Sequence, residues 1–263
     1  MSFEEEFYAF LREHGISGGF TPVPVVARSE AEAMAQQAEL EALVGQTSFV
    51  VEDRWRSRPE QMRARILAHA GVFTQVYARN CELRRIDKPT AAAFLKEAHD
   101  YADALCRYRY GLFLKRLTGE KQYGAAPVLE QGTLVAVAEF SNLRNLDLDG
   151  IRSRSCQWIR YASLPGIRVE GGMGKVLGGL LKDADPDDVM TYADLEWSDG
   201  GAYRALGFDF VDLRRPVLFR IDPFTWTRTA VGSRRADSDL VSSADSPLWY
   251  LNFGSARYRL RLR

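Results

Sequence analysis

The sequence predicts an α/β protein: a mixed central sheet flanked by helices, preceded by a mainly helical N-terminal extension. Three observations carry this. Segments of helical period cover residues 3–13, 29–44, 58–70 and 90–98. Segments of strand character cover residues 107–116, 134–140, 155–162 and 190–193. From residue 72 onward the two kinds alternate in the order β-α-α-β-β-β-α-β-α-β, a pattern that calls for a mixed sheet with helices packed on it. We place residues 1–71 in the extension and residues 72–263 in the main domain.

Each element has a local reason. Phe3, Phe7, Phe10 and Leu11 recur at helical spacing until Gly15, Gly18, Gly19, Pro22 and Pro24 interrupt them. Ser29 is the expected N-cap of the second helix, and Pro59 suits the first turn of the third. Thr47–Val51 reads as a short strand. Val72–Ile86 alternates in part and reads as the first core strand; Lys88-Pro89-Thr90 then opens a helix leading to His99 and Tyr101. In Arg107–Arg116, aromatic and apolar residues alternate with basic ones. Residues 117–127 form a polar connection, and Val128–Phe140 a strand or hairpin around Gln131-Gly132. Phe208–Ile221 reads as a strand and Thr227–Ser246 as a polar loop or hairpin excursion. Trp249–Phe253 and Arg257–Leu262 are expected to close the sheet at its far edge.

Composition narrows the class. Of the 263 residues, 46% are hydrophobic and 27% charged, as in ordinary globular proteins. Lys and Arg (35) balance Asp and Glu (35), so global charge favours neither nucleic acid nor membrane as a partner. Cys81, Cys106 and Cys156 form no CxxC pair, which suggests a reducing compartment. The N-terminal MSFEEEFYAF does not resemble a signal peptide, and no apolar run approaches the ~20 residues of a membrane span. A cytoplasmic protein with no membrane partner is expected. No paired His or Cys spacing of the ligand type occurs, so no metal is expected.

The chemistry centres on Gly166–Phe208. Gly171, Gly172 and Gly174 lie where the chain turns from a strand into a helix. Glycine lets backbone N–H groups approach a ligand, and the helix N-terminus behind it suits a phosphate. Two nucleotide motifs are excluded. Gly174-Lys175 is followed by Val176 rather than the Ser or Thr of a P-loop, and Gly172, Gly174 and Leu177 give G-x-G-x-x-L rather than G-x-G-x-x-G.

Gly172-Met173-Gly174 with Leu177, followed by Tyr203-Arg204-Ala205-Leu206-Gly207-Phe208, resembles the core of the GNAT superfamily, the acyl-CoA-dependent N-acyltransferases. There the pyrophosphate turn reads Gln/Arg-x-x-Gly-x-Gly/Ala; here Val169 stands at the Gln/Arg position, and Arg168 restores it only in a shifted register. The resemblance implies acetyl-CoA or another acyl-CoA as cofactor, held by Arg168, Val169, Gly171, Gly172, Met173, Gly174 and Lys175. It also implies Tyr203 as the acid that protonates the leaving thiolate.

Within that superfamily, four pieces in order are similar to the phage Mom DNA-modification branch: Ile86-Asp87-Lys88 with Phe94–His99, Tyr110–Phe113, Trp158–Tyr161, and Thr191–Asp194 with Gly201–Tyr203. This narrower resemblance, over residues 75–215, implies a site at Arg160, Asp194, and His99 with Tyr101, and makes a nucleobase a candidate acceptor. Each residue also has a plainer reading. Asp194 could take the amine proton or cap a turn; Tyr203 could be an acid or pack on the sheet; Arg160 could orient an anionic or planar substrate or face solvent. His99 could move a proton or cap a helix, and Glu196 is expected to be solvated. The arginines of Arg257–Arg263 read better as an edge strand guarded by charge than as a phosphate track. Two functions follow: an acyl-CoA-dependent N-acyltransferase, or a GNAT-like nucleic-acid-binding or scaffold module without catalysis.

Overall fold

The structure, a computed structural model, describes residues 1–100, 104–117, 128–148, 150–232 and 246–263. Tyr101 and most of the polar 117–127 and 227–246 segments lie outside the described residues. The helices are α1 (Phe3–Glu13), α2 (Glu30–Leu40), α3 (Glu52–Ser57), α4 (Pro59–His69), α5 (Lys88–Ala98), α6 (Gly172–Ala184) and α7 (Gly201–Arg204). The first eight strands are β1 (Phe20–Val23), β2 (Ser48–Val51), β3 (Thr74–Tyr77), β4 (Cys81–Arg85), β5 (Tyr108–Leu114), β6 (Leu134–Phe140), β7 (Arg144–Leu148) and β8 (Ile151–Ser163). Then follow β9 (Ile167–Glu170), β10 (Asp188–Asp194), β11 (Asp209–Arg214), β12 (Leu218–Ile221), β13 (Arg228–Ala230), β14 (Leu248–Leu251) and β15 (Ser255–Arg261). This is a mixed α/β architecture with a multi-strand mixed sheet flanked by helices. No described helix is long and apolar enough to cross a membrane.

The chain forms two compact units. The first comprises Met1–Met62, Ala193–Gly201 and Val211–Arg257; the second comprises Arg63–Tyr192, Ala202–Phe210 and Tyr258–Arg263. Residues expected as an N-terminal extension thus share their unit with C-terminal strands. In the first unit, Ser2 and Glu5 close a capping box on α1, whose Phe3 and Phe7 turn inward against Trp55 at ring distances of 6.1 and 5.9 Å. The parallel pair β1–β2 and the antiparallel sheet β13-β12-β14 contribute to one core, in which Phe49 stacks on Phe253 at 4.1 Å. Each such aromatic removed from water contributes about 2 kcal/mol.

The largest sheet has the order β11-β15-β10-β8-β6-β5-β4, with β7 paired to β8. β4, β5, β6, β7 and β8 run antiparallel to their neighbours, whereas β8 and β10 are parallel. Tyr110 lies beneath Gly179 of α6, while Val137, one register step away, packs under Ala91 and Leu95 of α5. Because successive side chains of a strand alternate, the two helices cover opposite faces.

Three expectations about strands are corrected. Val72–Ile86 is not one strand: a 3-10 turn at Ala78–Asn80 splits it, β3 pairs with β9, and β4 pairs with β5. The turn is held from afar, since Lys175 Nζ donates to the carbonyls of Ala78 (2.8 Å) and Cys81 (2.6 Å). Phe208–Ile221 breaks between Arg214 and Leu218, around Pro216, which lacks the N–H a ladder needs. β12 then joins β14 in a different sheet, so Trp249–Phe253 does not close the main one. Finally, β15 lies inside the sheet between β11 and β10. Its arginines are matched by carboxylates: Arg257 by Asp212 at 2.5 Å, Arg259 by Asp188 at 3.8 Å, and the trailing Arg263 by Asp187 at 3.5 Å. The guarded-edge reading of this strand is therefore overturned, because β15 has a neighbouring strand on each side.

Asp188, 2% exposed, accepts the hydroxyls of Ser153 (2.7 Å) and Ser155 (2.8 Å) beside Arg259. Asp188→Ala is expected to strand two hydroxyls and a guanidinium and to cost about 3 kcal/mol, read from the urea unfolding midpoint.

Candidate functional site

The glycine turn lies in the second unit, between β9 and α6. Gly171 is the N-cap of α6 at φ +73°, a conformation that favours glycine, and no side chain caps the helix. Its first N–H groups therefore lack the hydroxyl or carboxylate that usually satisfies them. Gly172 is demanded by a close approach: a Cβ there would lie 2.3 Å from Tyr161 Oη and 3.0 Å from Val169. Gly174 differs, since its Cβ would meet only Leu206 at 3.6 Å. The protein's own packing does not require glycine at that position.

The charged neighbours of the turn are less available than their sequence positions suggest. Lys175 spends its ammonium on the Ala78 and Cys81 carbonyls, and its backbone N–H bonds Gly171 O as the first helical hydrogen bond. Val169 is buried. Arg168 is exposed, with its guanidinium over the Phe73 ring at 5.3 Å and 3.8 Å from Glu170.

Next to the turn, the parallel pair comes apart. The β8–β10 register runs only from Ser155↔Asp188 to Gln157↔Met190. Beyond it, Thr191 Oγ1 donates to Trp158 O at 3.2 Å, and a side chain takes the place of the ladder. On its other side β8 carries an irregularity: Arg160 faces Glu139 and Trp158 faces Phe140, so Ile159 is an extra residue. Arg160 is half-buried, and its Nη1 donates to Ile159 O at 3.0 Å. Opposite, the fully buried Glu139 accepts from Arg109 Nε at 3.2 Å.

An aromatic wall joins these features. Trp158 meets Tyr161 edge-on at 6.1 Å and Tyr203 at 5.9 Å, and Tyr203 packs on Phe208 and Tyr258. Burial raises the pKa of Tyr203, with Thr191 beside its hydroxyl pulling the other way. Burial also pushes Tyr161 up to about 12, and the nearby Ser163 offsets part of that rise without reaching hydrogen-bonding geometry. The Tyr161 hydroxyl is shut off from solvent, unpartnered, and aimed at the glycine turn. The structure thus brings Tyr203, through Trp158, to the Tyr161 hydroxyl beside Gly171–Gly174, whereas Arg160, opposite Glu139, alternates with Tyr161 and belongs to the other face of the sheet.

The other candidates have local partners of their own. His99 is the C-cap of α5, its backbone N–H bonded to Leu95 O at 3.0 Å, and the adjacent Asp100 forms an ion pair with Arg65. Asp194 ends β10 in the first unit, where its Oδ1 accepts the Glu196 N–H at 3.0 Å and its carbonyl accepts from Trp197 and Ser198. Glu196, expected to be solvated, is 4% exposed. Tyr250 donates to Glu196 Oε1 at 2.7 Å, and Arg228 Nη1 stands 3.7 Å from the same oxygen. Arg228 in turn binds Asp53 bidentately at 2.6 and 2.7 Å. Burial, reinforced by the charge of Asp194, raises Glu196 to about 7. The sequence showed none of this cluster, because its members come from segments up to 175 residues apart. Tyr161 had a signal: it adjoins Arg160 in the strand that feeds the glycine turn.

No family model and no curated protein matches this chain. Among the described residues, no group of three or more His, Cys, Asp or Glu is placed to hold a metal ion.

Two expectations follow. Gly172→Ala is expected to cost at least ~2 kcal/mol in chemical denaturation, because Tyr161 must move; Gly174→Ala is expected to be neutral or to stabilise by up to about 1 kcal/mol. The second concerns pH. Glu196 titrates near 7 when folded against 4.5 for an ordinary glutamate, so between those values the folded chain holds the extra proton. Relative to Glu196→Gln, wild-type stability is expected to fall as pH rises from about 4.5 to about 7 and to level off above. Urea unfolding of both proteins across this range measures it.

Proposed function

We propose that the chain is an acyl-CoA-dependent N-acyltransferase of the GNAT type, of the Mom-like branch, with a nucleobase as the leading candidate acceptor. One observation carries the reading. The uncapped N-terminus of α6, with the Tyr161 hydroxyl aimed into it, stands on the crossover between two parallel strands whose ladder stops after three residue pairs. A ligand can enter a parallel sheet where its strands part, and a helix N-terminus beside that opening favours a diphosphate. The absence of a protein reason for glycine at Gly174 agrees with a group approaching the backbone there.

In this reading an acyl thioester supplies the activated carbonyl. The N–H groups of Gly172, Met173 and Gly174 hold the diphosphate, with the Tyr161 hydroxyl as a further donor. Tyr203 keeps its proton at neutral pH and can deliver it to the departing sulfur. The amine attacks the thioester carbonyl and loses its proton to water as the C–S bond breaks. A base within a duplex must leave the stack to reach such a site.

A second reading, a scaffold module without catalysis, draws on Val169 and Lys175. The buried valine and the committed ammonium leave the turn with one exposed cation, Arg168, which already faces Glu170 at 3.8 Å.

Calorimetric titration with acetyl-CoA separates the two. Binding near one to one is expected, lost in Gly174→Glu, which sets a carboxylate where the diphosphate would lie. It should be kept in Gly178→Glu, one turn farther along the exposed face. A folded wild type that binds no acetyl-CoA would sink the enzymatic reading.

A further inference from the structure

β11 ends the largest sheet, with β15 as its single neighbour in the strand order. Its side chains are exposed on both faces: Phe210 is 54%, Val211 41% and Leu213 64% accessible, and Asp209, Arg214 and the following Arg215 are exposed as well. An edge of this kind presents unpaired N–H and C=O groups that can accept another strand, unless charge forbids it. Here the charge is of both signs, acidic at the start of the segment and basic at its end.

We propose that β11 is a self-recognition edge that pairs antiparallel with β11 of a second copy. A two-fold axis between antiparallel strands must pass through the midpoint of a pair formed by one residue and its own copy, because neighbouring pairs alternate between bonded and non-bonded types. Centring the axis on Asp212 sets Asp209 against Arg215 of the second copy, Phe210 against its Arg214 and Val211 against its Leu213. One face then gains two ion pairs flanking two apolar pairs; the other gains arginine against phenylalanine. The central aspartates are each neutralised within their own chain by Arg257 at 2.5 Å. Centring on Val211 instead would set Asp209 against leucine and Asp212 against phenylalanine. Neither Asp209 nor Arg215 forms an ion pair with another described residue, so both remain available to a second copy.

The chain as it stands is the sample. Sedimentation equilibrium over an about hundredfold range of protein concentration is expected to show a reversible monomer–dimer equilibrium. Asp209→Arg and Arg215→Asp each turn two attractions into repulsions and are expected to raise the dimer dissociation constant by about tenfold or more. The double variant D209R/R215D recreates the pairs in reverse and is expected to return to the wild-type value. Below the wild-type dissociation constant, where all four proteins are monomers, thermal melts of the three variants should match the wild type, since the side chains are exposed. A monomer at every concentration would overturn the proposal, and so would a double variant as weak as the single ones.

Discussion

A single buried carboxylate sets the geometry of the candidate site. Asp188 opens β10, and its two oxygens take the hydroxyls of Ser153 and Ser155 from β8 while Arg259 approaches from β15. A carboxylate this deep is tolerable only because donors surround it. Its partners fix three strands to one another at one end. The parallel ladder therefore forms at that end, runs to Gln157↔Met190, and stops. Past that point β8 is bulged at Ile159 and β10 is tied to it by the Thr191 hydroxyl.

The site inherits its character from that parting. Trp158, Tyr161 and Tyr203 line one wall, and both tyrosine hydroxyls are held neutral by burial. Neutral hydroxyls and uncapped N–H groups are donors, and together they make an environment suited to an anionic ligand and a proton-accepting leaving group. Lys175 shows how a residue beside such a turn can serve the fold instead. Its ammonium binds two carbonyls at the Ala78–Asn80 turn and so determines where β3 ends and β4 begins.

What the sequence disclosed was what local rules control. Ser29 caps α2 at the start its position suggests. Gly171 adopts the positive φ that a strand-to-helix turn requires. The split of Val72–Ile86 was hidden because it depends on Lys175, far along the chain, and periodicity carries no such information. β15 reads as an edge by its arginines; it sits inside because Asp188 and Asp212 neutralise them. Glu196 reads as a solvated residue after a strand, yet Arg228, Asp53 and Tyr250 enclose it from three other segments. In each case a long-range polar contact reversed what the local pattern implied.

The central claim is that the open N-terminus of α6 binds the diphosphate of an acyl-CoA. Amide hydrogen exchange of the intact chain, with and without saturating acetyl-CoA, tests it at the residues concerned. The account predicts slowed exchange at Gly172, Met173 and Gly174 and along Trp158–Ser163, with little change in α5. Unchanged exchange at those three glycine-turn amides, or protection confined to another segment, would contradict it.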